Sequence, residues 1–328
     1  MQNNLLKLQS VTNHMRLFSS ILLCVYVSIA CAQNLEILEI PISEIGLDTI
    51  DGYGPSDFDI DEKECIYVVD VVNQSIKIFN NQGKLVSSFS IKEFYSLPTD
   101  VNPFYPFTHI AVQDSCIYIA WRSKVGVYNL DGREISKFEF SDDRCIFEMA
   151  VDDLNRIYLR RDICGAFYAC TIEVYNVEGE KIKEQIIPQN EHLCLRLKNY
   201  RIFKEKGGKG YMAYIKKYLI YGPNHNEIYE VPASKFVECL GEDDAHCLYL
   251  LIREDNQGYI MQLSPTGGIL NKVEIKEWGM AVRNYFRTGR VSPVGNVFVW
   301  AYKEGDKYVR IYKYLMKKRI KSNERSTG

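Results

Sequence analysis

Short apolar runs in strict alternation recur along the chain, separated by polar turns. The run "CIYVVD" at 65–70 is followed by "IKIFN" at 76–80 and then by the turn "NNQGKL". Aromatic and β-branched residues alternating with polar ones over such lengths predict β-strands. The first run returns as "CIYIAW" at 116–121, "RIYLRR" at 156–161, "GYMAY" at 210–214, "CLYLLI" at 247–252 and "NVFVWA" at 296–301. Second runs follow as "VGVYN", "IEVYN", "EIYEV", "GYIMQL" and "VRIYKY". The turns "NLDGREI", "NVEGEKI" and "SPTGGIL" place a glycine where the third predicted strand gives way to a fourth, which is where a positive φ is needed.

The aromatic anchors Tyr67, Tyr118, Tyr158, Tyr211, Tyr249 and Phe298 are separated by 51, 40, 53, 38 and 49 residues. Units of about 40–50 residues with four short strands each predict propeller blades. A single blade cannot bury both of its faces, so six must stack in a ring. Innermost strands are predicted at "SDFDI" (56–60), "THIAV" (108–112) and "FEMAV" (147–151). The sixth copy lacks a fourth strand, while "LEILEI" at 35–40 has no blade of its own. Pairing it with residues 309–314 would close the ring and remove an exposed edge. The predicted fold is therefore an all-β, six-bladed propeller of four-stranded blades.

The segment before this strand is of another kind. From Met15 the chain reads "MRLFSSILLCVYVSIACAQ": a positive residue, a short apolar run and a small-residue cleavage pattern before Gln33. That is a secretory leader, and the run is too short to span a bilayer. "SIAC" also resembles a lipobox, with Ser28 where an aliphatic residue is usual, so a lipid anchor at Cys31 stands as the alternative to free release. The expected organisation is a leader over 1–32, starting at Met1 or Met15, a propeller over 33–315 and a basic tail over 316–328. The expected location is periplasmic or at the cell surface.

Of 328 residues, 46% are hydrophobic and 23 are tyrosines, ample for a β-rich core. A formal net charge of -2 gives no field that would attract nucleic acid. Ten cysteines contain no CxxC pair. Cys65, Cys116 and Cys247 occupy repeat positions and read as small packing residues. Cys164 and Cys170 flank "GAFYA" in a loop of the third unit and are the expected disulfide in an oxidising compartment.

Residues 55–89, "PSDFDIDEKECIYVVDVVNQSIKIFNNQGKLVSSF", resemble an NHL repeat, and the likeness weakens in later units. The chain from about 35 to 314 resembles the exported six-bladed propellers, NHL- or TolB-like, that are common in Bacteroidetes; many are lipoproteins of unknown function. Asp70 matches the repeat's aspartate, but Trp121 and Arg161 replace it in the next units, so Asp70 is expected to brace its own turn.

Aligning the units on their anchors puts Asp57, His109 and Glu148 at one equivalent position, followed by Arg201, Glu238 and Arg290. These six are the expected lining of one channel mouth, either holding a polar ligand or cation or neutralising one another. The loop at 91–107 carries Phe94, Tyr95, Phe104, Tyr105 and Phe107, either exposed for stacking or folded onto itself. Gluconolactonase-like propellers hold a divalent cation near the axis, and that likeness implies Asp57, Glu148 and Glu238 as oxygen ligands. Peptide-amidating lyases of similar fold hold zinc with several histidines; here only His109 falls on a predicted inner strand, with His192, His225 and His246 in loops. No catalytic residue and no cofactor is assigned beyond a divalent cation as an option. The leading expectation is an exported binding or scaffold module for a protein, peptide or glycan. The alternative is a metal-dependent hydrolase or lyase of the gluconolactonase type.

Overall fold

The computed structural model describes residues 35–41, 44, 57–70, 73–94, 108–163, 170–187, 191–192, 194–208, 214–276, 289–301 and 305–316. Blade one is β2 (Asp57–Ile60), β3 (Ile66–Asp70), β4 (Ser75–Phe79) and β5 (Leu85–Ser90). Blade two is β6 (Thr108–Gln113), β7 (Cys116–Trp121), β8 (Lys124–Asn129) and β9 (Glu134–Glu139). Blade three is β10 (Arg144–Val151), β11 (Ile157–Ile163), β12 (Cys170–Tyr175) and β13 (Lys181–Ile187). Blade four is β14 (Glu191–His192), β15 (Arg201–Gly207), β16 (Tyr214–Tyr221) and β17 (Glu227–Pro232). Blade five is β18 (Phe236–Glu242), β19 (Leu248–Glu254), β20 (Gln257–Leu263) and β21 (Ile269–Glu274). Blade six is β22 (Gly289–Val291), β23 (Val297–Ala301) and β24 (Tyr308–Tyr314), completed by β1 (Leu35–Pro41).

The closure read from the sequence is present in register. Leu35 pairs with Tyr314 and Ile40 with Val309, antiparallel. Leu38 and Ile40 point into a cluster with Phe58, Val68, Phe298 and Ile311, joining blade six to blade one. Lys313 secures the same junction, with Nζ 2.9 Å from Glu36 Oε2 and 2.8 Å from Glu64 Oε2.

Local chemistry explains the repeat. Asp61, in the turn after β2, accepts from the Cys65 amide (2.8 Å) and from the Tyr67 hydroxyl (3.0 Å). Asp152 does the same for the Arg156 amide (3.0 Å) and the Tyr158 hydroxyl (3.1 Å), and Asp243 for the Cys247 amide and the Tyr249 hydroxyl (both 2.8 Å). An aspartate six residues before the anchor thus satisfies a phenol and a turn together. Blade two has a two-residue turn instead, with Asp114 and Ser115 both at positive φ, and Tyr118 donates to Asn155 of blade three (2.8 Å). Asp70 braces its own turn as expected, accepting from the Asn73 amide (3.0 Å) and pairing with Lys77 (2.9 Å).

The glycine turns seat each blade on the one before it. Gly132 has φ +81°, and a Cβ there would lie 2.3 Å from Cγ of Phe89 in blade one. Gly305 has φ +88° with nothing within 4 Å. Gly132→Ala is therefore expected to lower stability by more than about 1 kcal/mol, and by more than Gly305→Ala. Denaturant midpoints measure both, and equal losses would show that inter-blade contact contributes nothing at Gly132.

The fourth unit departs from the sequence reading. Of "GYMAY", expected as its second strand, only Tyr214 is described, and it opens the third strand β16. The second strand is β15, "RIFKEKG", and "EIYEV" falls on the outer strand β17. The inner strand β14 has only two residues, and His192, expected in a loop, belongs to it. In this unit polar residues occupy much of the second strand, so the apolar pattern that marks the others is absent.

Residues 1–34, with the leader and Cys31, and residues 317–328 of the tail lie outside the described residues. Among the described residues no helix is long and apolar enough to cross a membrane. Cys65, Cys116 and Cys247 are free thiols, the first two half-buried. Cys145 is disulfide-bonded, which the sequence reading did not anticipate. Cys164 lies outside the described residues, and for Cys170 only its place in β12 is described.

Candidate functional site

Where the inner strands begin, three of the six expected residues, Asp57, His109 and Arg290, form one network. Asp57 opens β2; its Oδ1 accepts from the Phe58 amide (2.9 Å) and from Arg290 Nη2. Its Oδ2 accepts from the Ile110 amide (3.3 Å) and lies 3.9 Å from His109 Nδ1. Arg290 also donates to the Gly289 carbonyl (2.7 Å) and sits 5.1 Å from the Phe58 ring centroid. Asp57, His109 and Arg290 are at most 5% exposed. Buried charge of this density is tolerable only when each group finds partners, and here blades one, two and six supply them to one another.

Glu148, on β10, accepts from the Leu195 amide (3.0 Å) and lies 4.0 Å from Arg160. Glu238 is on the inner strand β18, as expected. Arg201 is a correction: it lies on β15, the second strand of blade four, because β14 occupies the inner position. Of the two alternatives for the aromatic loop, Phe94 takes the buried one: it is 1% exposed, packs in the core between blades one and two, and closes over Gly126. Tyr95, Phe104, Tyr105 and Phe107 lie outside the described residues. Among the described residues no three His, Cys, Asp or Glu side chains are grouped so as to hold a metal ion, so Asp57, Glu148 and Glu238 form no cage.

At the other end of the inner strands the channel widens into a cavity of about 1000 Å³. Its walls are the last residues of the inner strands, such as Asp59, Val112, Val151 and Glu242, and the turns that follow them. Residues 194–200, between β14 and β15, line this space. Arg196 reaches Asp59 of blade one, on the far side of the ring, at 3.4 Å. Leu195 is held by Glu148, Lys198 by Asp153 (2.6 Å), and Asn199 donates to Glu242 from its amide (3.2 Å) and its side chain (2.9 Å). Asp59 also accepts from the Val112 amide (2.9 Å) and lies 3.8 Å from Arg290 Nε, which links the cavity floor to the network beneath it.

The lining is acidic, with nine Asp and Glu against five Lys and Arg. Burial pushes the Glu242 carboxyl above its ordinary value, against the bonds from Asn199. Glu191 differs from the rest. It is 9% exposed, its Oε1 lies 3.5 Å from Arg201 Nε, and its buried Oε2 has no hydrogen-bond partner among the described residues. Neither Glu191 nor Arg196 stood out in the sequence. The signal available was the charged run "EHLCLRLKN" at 191–199, which a two-residue strand disguised as a plain loop.

No family model matches the chain, and no curated protein matches it in sequence. Among solved structures it is similar to a member of the duf4221 family from Bacteroides vulgatus, at 12% identity over 87% of this chain and 98% of that one, TM-score 0.49. It is similar to a putative exported protein from Bacteroides fragilis, at 10% identity over 86% and 96%, TM-score 0.44. A luciferin-regenerating enzyme is similar at 11% identity over 85% and 95%, TM-score 0.46. These likenesses concern the course of the chain and transfer no chemistry. The strand pairing itself establishes the protein as a six-bladed β-propeller whose ring is closed by its first strand.

Proposed function

We propose that the protein is an exported binding module that takes a small polar ligand into the cavity at the ends of the inner strands. The observation that carries this reading is the cavity itself: about 1000 Å³, floored by a cross-ring segment and holding a buried carboxylate oxygen that no described group satisfies. Its volume lies at the upper end of the range of ligand sites, and convergent polar groups are their mark. Export is supported by the leader pattern and by the disulfide at Cys145, a bond that persists in oxidising compartments.

Thermal shift and calorimetry against amino acids, sugars and polyamines test this. At least one compound is expected to raise the melting temperature, since a ligand at 100 times its Kd adds about 2.7 kcal/mol. Asp153→Trp and Asp244→Trp, at exposed positions on the rim, should narrow the opening, weaken that response at least about tenfold and leave unliganded melting close to the parent's. A response unchanged in both variants would put the binding site elsewhere.

A further inference from the structure

Resting on that reading, we infer that the ligand carries a primary ammonium group and that Glu191 Oε2 receives it. Glu191 opens the shortest inner strand and is held more than nine-tenths buried at the cavity wall. A carboxylate in such a position ordinarily fills its acceptor sites. One oxygen of Glu191 pairs with Arg201 Nε at 3.5 Å, and the other has no hydrogen-bond partner among the described residues. Most of the other carboxylates around the cavity are already engaged. Asp152 holds Arg156, Asp153 holds Lys198, Asp59 holds Arg196, and Glu242 takes Asn199. Glu191 Oε2 is thus a buried acceptor without a hydrogen-bond partner at the wall of an acidic chamber.

The form of the opening selects the cation. A guanidinium binds a carboxylate most strongly through two parallel bonds, one to each oxygen. Here Arg201 occupies the side of Oε1, so only a monodentate partner fits. A primary ammonium is a compact point charge whose three donors can reach a single oxygen. The acidic surplus of the walls favours accumulation of such a cation before it docks.

The test compares matched compounds by calorimetry at low salt: glucosamine against N-acetylglucosamine, and putrescine against 1,4-butanediol. The folded parent protein should bind glucosamine or putrescine at least about tenfold more tightly than the neutral counterpart. Glu191→Gln, which keeps the shape and removes the charge, should abolish that preference, with circular dichroism confirming an intact fold. In Arg201→Gln both oxygens are open, and N-ethylguanidine should gain on ethylamine relative to the parent. Equal binding of charged and neutral partners, or an ammonium preference that survives in Glu191→Gln, overturns the inference. If the neutral compounds bind and the rim variants weaken them, the cavity remains the binding site and only the ammonium assignment fails. If no compound responds to the rim variants, the assignment and the cavity reading fail together.

Discussion

Removal of residues 33–42 is expected to cost the propeller about 5 kcal/mol or more, enough to abolish a single cooperative transition. The strand taken away buries Leu38 (7% exposed) and Ile40 (fully buried), each contributing about 1.5–3 kcal/mol. It also carries a seven-residue ladder with β24, and its loss strips Lys313 of Glu36. A domain's whole stability is about 5–15 kcal/mol. Differential scanning calorimetry should show a broadened, lowered transition, and limited proteolysis should cut near β24. Ile40→Asp, which buries one charge on the same strand, should shift melting in the same direction. A truncated protein that melts as the untruncated chain does would show that the ring needs no such closure.

The same junction should be acid-sensitive. Burial alone would raise the Glu64 carboxyl, but hydrogen bonds from Lys313, Asn296 and Ser292 outweigh it and leave the group below its ordinary value. A carboxylate depressed in the folded state stabilises above its unfolded pKa, about 4.3, and this contribution is lost as pH falls through the lower folded value.

Arg161→Leu is the second substitution expected to have a large effect, a loss of about 3–5 kcal/mol. Arg161 is 2% exposed and Glu173 wholly buried; Nη1 of the first donates to Oε2 of the second at 2.8 Å. The guanidinium carbon lies 3.6 Å from the Phe140 ring centroid, and a further nitrogen meets Asp142. Tyr175 (2.8 Å) and Arg144 (3.0 Å) also donate to Glu173. Burial would raise the Glu173 carboxyl, yet these bonds and charges hold it below its ordinary value. Without Arg161 the carboxylate keeps its desolvation penalty and loses its main compensation. The double variant Arg161→Leu with Glu173→Leu should recover most of the loss, because a packed apolar pair can replace a buried ion pair. Arg161→Lys should fall between, lacking the planar fork. Urea unfolding measures all three. A single Leu variant within about 1 kcal/mol of the parent would mean that Arg144 and Tyr175 suffice for Glu173.

What the sequence disclosed was local. Tyr67, Tyr158 and Tyr249 recur because each shares a turn with an aspartate six residues earlier, and the glycines because the outer turns need positive φ. The closing strand was legible because one unit lacked a strand and one strand lacked a unit. Blade four was not, since β14 is two residues long and β15 is half polar, so Arg201 was assigned to the wrong strand. Charged residues deep in a sheet were also hidden. Arg161 and Glu173 carry no periodic mark, and their pairing depends on two strands whose register appears only in three dimensions. Asp57, His109 and Arg290 were gathered correctly by position, but position alone does not tell a docking site from a set of mutual counter-ions. The cavity emerged at the opposite end, built by turns whose lengths vary among units and align poorly.

The pairing of Leu35 with Tyr314 also governs the order of events at synthesis. Among the described strands β1 is made first and waits for β24, made last. Joining ends separated by this length of chain opposes folding by about 5 kcal/mol of loop entropy, so the final pairing is slow unless the intervening blades have already drawn the ends together. Until then the chain has an open edge and no completed ring. A chain that emerged residue by residue would keep β1 unpaired until β24 had followed it, and only then could the ring lock.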